Sequence, residues 1–121
     1  MSRTLLLCVD DEPDGLMVRK LMLEHQGYEV LTAQAGREGL ELLRSKPVRG
    51  VILDYFMPEM DGAEVAAEMK RMKPEVPILM LSAYFSLPKS ALENVNAFIT
   101  KGESPGRLLA KIGELISSRR R

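Results

Sequence analysis

Short, nearly unbroken apolar runs alternate along this chain with longer stretches in which apolar residues recur at helical spacing. That alternation restricts the fold more than any other feature. The runs are "TLLLCV" (residues 4–9), "GYEVLTA" (27–33), "GVILDY" (50–55), "VPILMLS" (76–82) and "AFITK" (97–101). Apolar runs of this length suit strands covered on both faces. Between them, Pro13 to Gln26 sets Leu16, Arg19, Lys20 and Leu23 at helical spacing, and Arg37 to Ser45 does the same with Leu40 and Leu43. The stretch Asp61-Gly-Ala-Glu64 has the spacing of a capping box and predicts a third helix reaching about Met72. Ser104 and Pro105 supply an N-cap and a first-turn proline for a last helix, "GRLLAKIGELISS". Five β–α units joined by such short connections require a parallel sheet with right-handed crossovers and helices on both faces. The expected fold class is α/β, a doubly wound five-stranded parallel sheet.

The 121 residues suffice for one domain, read as spanning 1–121, with a full layered core. Lys and Arg balance Asp and Glu at 17 each, so no global field favours nucleic acid or a basic partner. The C-terminal "SSRRR" reads as a solvated helix end. Cys8 is the sole cysteine and lies inside an apolar run, which excludes an internal disulfide and fits a core residue. The N-terminal apolar run breaks at Asp10, too early for a signal peptide, and nothing later approaches a membrane span. A soluble cytoplasmic protein is expected, with no membrane and no direct nucleic-acid contact.

In open parallel sheets, ligands bind outside the carboxyl ends of the strands. Those ends carry Asp10, Asp11 and Glu12 after strand 1, Asp54 at strand 3, Ser82 at strand 4 and Lys101 at strand 5. Acidic groups brought to one edge would repel unless a divalent cation joined them, and oxygen-only ligands suit Mg²⁺ or Mn²⁺ rather than zinc. A metal-neutralised carboxylate beside an ammonium and a hydroxyl is suited to phosphoryl transfer, with Asp54 as a nucleophile able to carry the group as an acyl phosphate.

With these residues in this order, the chain resembles the receiver domain of two-component response regulators, the CheY-like family, along essentially its whole length. The resemblance rests on Asp10 and Asp11, on Asp54 with Met57-Pro58 and Asp61-Gly62, on Ser82-Ala83, and on Lys101. It implies a flavodoxin-like strand order 2-1-3-4-5. It implies that Asp54 accepts phosphate from a histidine kinase, a histidine phosphotransfer protein or acetyl phosphate. Asp11, Asp54 and the Phe56 backbone carbonyl would coordinate Mg²⁺, with Asp10 assisting through water. Ser82 and Lys101 would contact the phosphoryl oxygens, and Phe98 would be the aromatic switch. The resemblance further implies a downstream effector, with partner or homodimer contacts on the face of helix 4, strand 5 and helix 5. It implies no enzymatic turnover beyond self-catalysed phosphoryl acceptance and slow autodephosphorylation.

Three features depart from the family pattern. Lys101 is followed by Gly102 instead of proline. A non-proline cis bond costs about 2.5–4 kcal/mol, so a trans 101–102 bond is expected, with Lys101 reset by glycine's freedom. The segment after Ser82 is short and contains Pro88, leaving "KSALEN" as a helix of barely two turns and making residues 84–96 the expected mobile part. Phe56 and Tyr84 each lie two residues beyond a site residue, where their rings either screen an acyl phosphate from water or simply pack the loop.

His25, near the end of helix 1, fits a helix C-terminus. Met17, Met22, Met69, Met72 and Met80 read as core filler rather than a cofactor box. Two other function classes compete with the phosphoacceptor switch. One is an interaction module that works without phosphorylation. The other is a flavin-binding or hydrolytic enzyme, disfavoured because "DDEPDG" is acidic where a flavin phosphate needs donors.

Overall fold

A computed structural model of the chain describes residues 3–84 and 86–119. The elements run β1 (Leu5–Val9), α1 (Pro13–His25), β2 (Glu29–Ala33), α2 (Gly36–Ser45), β3 (Gly50–Asp54), α3 (Gly62–Met72), β4 (Ile78–Ser82), α4 (Lys89–Leu92), β5 (Ala97–Thr100) and α5 (Pro105–Arg119). All strand pairs are parallel, and the sheet order is β2-β1-β3-β4-β5. This is the doubly wound arrangement expected from the sequence.

Successive strand residues point to opposite faces, so each strand feeds two cores. Leu7, Val9, Val51, Leu53 and Met80 pack with Leu43 of α2 and with Val65, Ala66 and Met69 of α3. Leu6, Cys8, Ile52, Leu79 and Ile99 pack with Leu16 and Leu23 of α1 and with Leu108, Ile112 and Ile116 of α5. Burial pushes the Cys8 thiol up to about 12, so it stays protonated and inert.

The α3 capping box forms in both directions: Glu64 N–H donates to Asp61 Oδ1 at 3.0 Å, and Asp61 N–H donates to Glu64 Oε1 at 3.1 Å. Helix α5 begins at Pro105, with Arg107 N–H donating to the Ser104 carbonyl at 3.0 Å. His25 closes the last turn of α1.

The expected length of helix 4 and the expected burial of the methionines need correction. The helix expected over "KSALEN" is only the single turn Lys89–Leu92, preceded by Pro88 in an extended conformation. The mobility expected for 84–96 includes Phe85, which lies outside the described residues. The methionines also divide. Met69 and Met80 are buried and Met22 is partly so, whereas Met17 is 54% exposed and Met72 is 37% exposed. The cause is helix phase: Leu16 and Leu23 hold the inner face of α1, which turns Met17, Val18 and Leu21 to solvent.

Candidate functional site

Strand register brings the site residues to one edge. Val9 pairs with Leu53, Asp54 with Leu81, and Ser82 with Thr100, so Asp10, Asp54, Ser82 and Lys101 all leave the sheet at nearly the same level. The ladder continues past the strand ends. Asp10 N–H donates to the Ala33 carbonyl at 3.0 Å, Tyr55 N–H to Leu81 at 2.9 Å, and Lys101 N–H to Ser82 at 2.8 Å. The functional side chains therefore hang from fixed backbone rather than from free loops.

Asp10, Asp54 and Ser82 are the buried polar residues of the described core. Asp11 is exposed. Asp10, Asp11 and Asp54 each offer an oxygen within 4.8 Å of the others, the geometry expected of a divalent-cation site. The donors are carboxylate oxygens only, which fits Mg²⁺ or Mn²⁺ and not a thiolate- or imidazole-preferring ion.

Lys101 Nζ lies 2.9 Å from Asp54 Oδ1 and 3.3 Å from Asp10 Oδ2, tying the two buried carboxylates together. Burial pushes Asp54 up to about 6; the Lys101 hydrogen bond opposes this and the Asp10 charge reinforces it. At Lys101 burial pulls downward, but the hydrogen bond and charge of Asp54 and the charge of Asp10 outweigh it, leaving the ammonium above its ordinary value. The contact favours charge on both partners, and burial prevails only at Asp54, the less exposed of the two.

Ser82 Oγ accepts the Tyr84 N–H at 3.0 Å, which orients the hydroxyl at the sheet edge. Phe98 is half-buried against the α3-side core and pairs with Met80 in the ladder. Phe56 and Tyr84 are more than half exposed, yet their rings meet at 5.3 Å, and Tyr55 meets Phe56 edge-on at 5.2 Å. The structure thus joins two aromatic residues that the sequence placed on separate loops.

No cis peptide bond occurs among the described residues, so the 101–102 bond is trans. Glycine's special freedom is not used there: Gly102 does not have a left-handed φ, and a Cβ on it would meet nothing within 4 Å. Lys101 is set instead by its ladder bond to Ser82 and its two carboxylates.

Sequence reasoning missed Arg19, whose guanidinium Nη2 forms an ion pair with Asp10 Oδ2. The signal was an arginine set between Leu16 and Leu23 on the inner face of α1.

The pattern of the response regulator receiver domain matches residues 6–113. The chain is 40% identical over 99 residues to the transcriptional regulatory protein GlrR of Escherichia coli, covering 79% of this chain and 22% of that protein. It is 33% identical over 121 residues to the response regulator SaeR of Staphylococcus aureus, covering 94% of this chain and 51% of that protein. The chain therefore spans about a fifth and about half of these two relatives. A CheY-like receiver domain from Methanospirillum hungatei superimposes with a TM-score of 0.92 at 29% identity, with 98% of each chain covered. The response regulator TrrA of Thermotoga maritima, solved with Mg²⁺ and BeF, does so with a TM-score of 0.88 at 33% identity, covering 93% of this chain and 98% of that one. By sequence and by structure alike, this chain belongs to the response regulator receiver domain family.

Proposed function

We propose that the chain is a phosphorelay receiver in which Asp54 accepts a phosphoryl group from a histidine kinase or histidine phosphotransfer protein. The observation that carries this is the buried Asp54 carboxylate, held 2.9 Å from the Lys101 ammonium inside a three-carboxylate cluster. An Asp54 oxygen attacks phosphorus, the bond from phosphorus to the donor's imidazole nitrogen breaks, and that nitrogen takes a proton. Lys101 then bonds a phosphoryl oxygen, and the Ser82 hydroxyl bonds another. Asp11, Asp54 and the Phe56 carbonyl would hold Mg²⁺, with Asp10 acting through water. The ion would offset charge on the transferring oxygens. TrrA, with Mg²⁺ and BeF bound, supports that reading.

Closure of the Ser82 loop draws Phe98 inward and alters the face of α4, β5 and α5 presented to an effector protein or to a second copy. The chain modifies itself and turns over no other substrate, and the setting is cytoplasmic. Among the described residues no helix is long and apolar enough to cross a membrane.

The test is incubation with Mg²⁺ and acetyl phosphate, followed by intact-mass and peptide analysis. A Mg²⁺-dependent adduct within Val51 to Gly62 is expected. Its absence with both acetyl phosphate and kinases would favour a module that works without phosphorylation.

The rings of Phe56 and Tyr84, in contact at 5.3 Å, would act as a cover over the acyl phosphate. After donor removal, phosphate loss should speed up roughly fivefold or more in Phe56→Asn, as water gains access. An unchanged half-life would show that the rings only pack the loop.

A further inference from the structure

Both oxygens of Asp10 are already engaged by protein donors. Its Oδ1 accepts the Glu12 N–H at 3.0 Å, and its Oδ2 is shared by Arg19 and by Lys101 at 3.3 Å. The Arg19 side chain is only 14% exposed, so its charge sits inside the site rather than on the surface. Its guanidinium packs against the preceding turn: a Cβ on Gly15 would lie 3.5 and 3.6 Å from the two terminal Arg19 nitrogens, ordinary van der Waals contact. Arg19 also lines the cleft between α1 and β5, beside Met22, Leu81 and Lys101.

We propose that Arg19 is a resident counter-ion of the acidic cluster: it withholds Asp10 from direct metal coordination and weakens the resting site's affinity for divalent cations. This rests on the Mg²⁺-dependent reading above. Three carboxylates with Lys101 alone leave two net negative charges for a cation, whereas Arg19 reduces them to one. The same charge keeps Asp10 compensated when Lys101 turns to a phosphoryl oxygen. Arg19 is a positioning residue, acting through Asp10 without touching the phosphoryl group.

The test is calorimetric titration of the chelator-treated protein with Mg²⁺ alone, with urea unfolding run on every variant. Arg19→Gln should bind Mg²⁺ about tenfold more tightly than wild type, and Arg19→Lys should bind like wild type. Arg19→Met, a flexible neutral chain for the same channel, is the second neutral variant should glutamine impair folding. In an Asp10→Asn background the Arg19→Gln gain should shrink to under about threefold, because the effect runs through that carboxylate. Neutral variants within twofold of a wild type that binds Mg²⁺ would overturn the inference and leave the phosphorelay reading standing. So would an Arg19→Lys shift as large as that of Arg19→Gln. Failure of wild type and variants alike to bind Mg²⁺ would overturn both.

Discussion

An Asp54→Asn variant will take up no phosphate and, in metal-free buffer at neutral pH, will be more stable than wild type by about 1–3 kcal/mol. The first effect follows from chemistry, since an amide oxygen is too weak a nucleophile to hold phosphorus. The second follows from burial. The Asp54 side chain is 4% exposed, and its pKa is raised from 3.8 to about 6, chiefly by desolvation. A folded-state pKa above the unfolded value means that the folded chain holds a proton the unfolded chain has released. Stability from this group therefore falls as pH rises from about 4 to about 6, and the cost is complete above that window. The asparagine variant escapes the cost and keeps an acceptor for Lys101, which also retains Asp10 at 3.3 Å. Urea unfolding across pH checks this: the two curves should converge below about pH 4 and separate above about pH 6. Mg²⁺ should narrow the gap by binding the wild-type fold more tightly. A variant less stable than wild type at neutral pH would show that the Lys101 bond outweighs desolvation.

The site's outline was legible because strand ends are legible. Apolar runs broken by Asp10, Asp54, Ser82 and Lys101 fix where the sheet stops, and parallel register aligns those stops without further information. What escaped depends on the rotational phase of helices and on contacts between separate loops. Arg19 reaches Asp10 because α1 turns it inward between Leu16 and Leu23. Met17 and Met22 are alike in sequence terms, yet the same phase exposes one and covers the other. The meeting of Phe56 with Tyr84 joins two loops, and no pattern within either loop specifies it. Helix α4 fell short of its sequence pattern because four residues after Pro88 offer little apolar surface, Ala91 being the buried one.

Gly62→Ala should cost about 2–4 kcal/mol, although glycine and alanine are ordinarily interchanged cheaply at helix starts. Gly62 opens α3, and its N–H donates to the Tyr55 carbonyl at 2.6 Å, clamping the helix start against the end of β3. A Cβ there would lie 2.7 Å from the Asp54 carbonyl oxygen, 2.7 Å from Tyr55 Cα and 3.2 Å from Met80 Cε. The first two are backbone atoms of a segment whose Tyr55 N–H is bonded to Leu81, and α3 is held by the fully buried Val65, Ala66 and Met69. Neither side can yield by rotating a side chain, so the clash must separate the helix from the strand. Alanine's better helix propensity and its smaller unfolded-state entropy together return about 1–2 kcal/mol, less than backbone overlap on two atoms takes away. Because Asp54 sits at the displaced strand end, Mg²⁺ affinity should weaken as well, which a purely global loss of stability would not produce in the fraction still folded. Gly102→Ala is the matched control: a Cβ there meets nothing within 4 Å, so its unfolding free energy should stay within about 0.5 kcal/mol of wild type. Equal stabilities for the two variants would mean that the α3–β3 contact is looser than its 2.6 Å hydrogen bond implies.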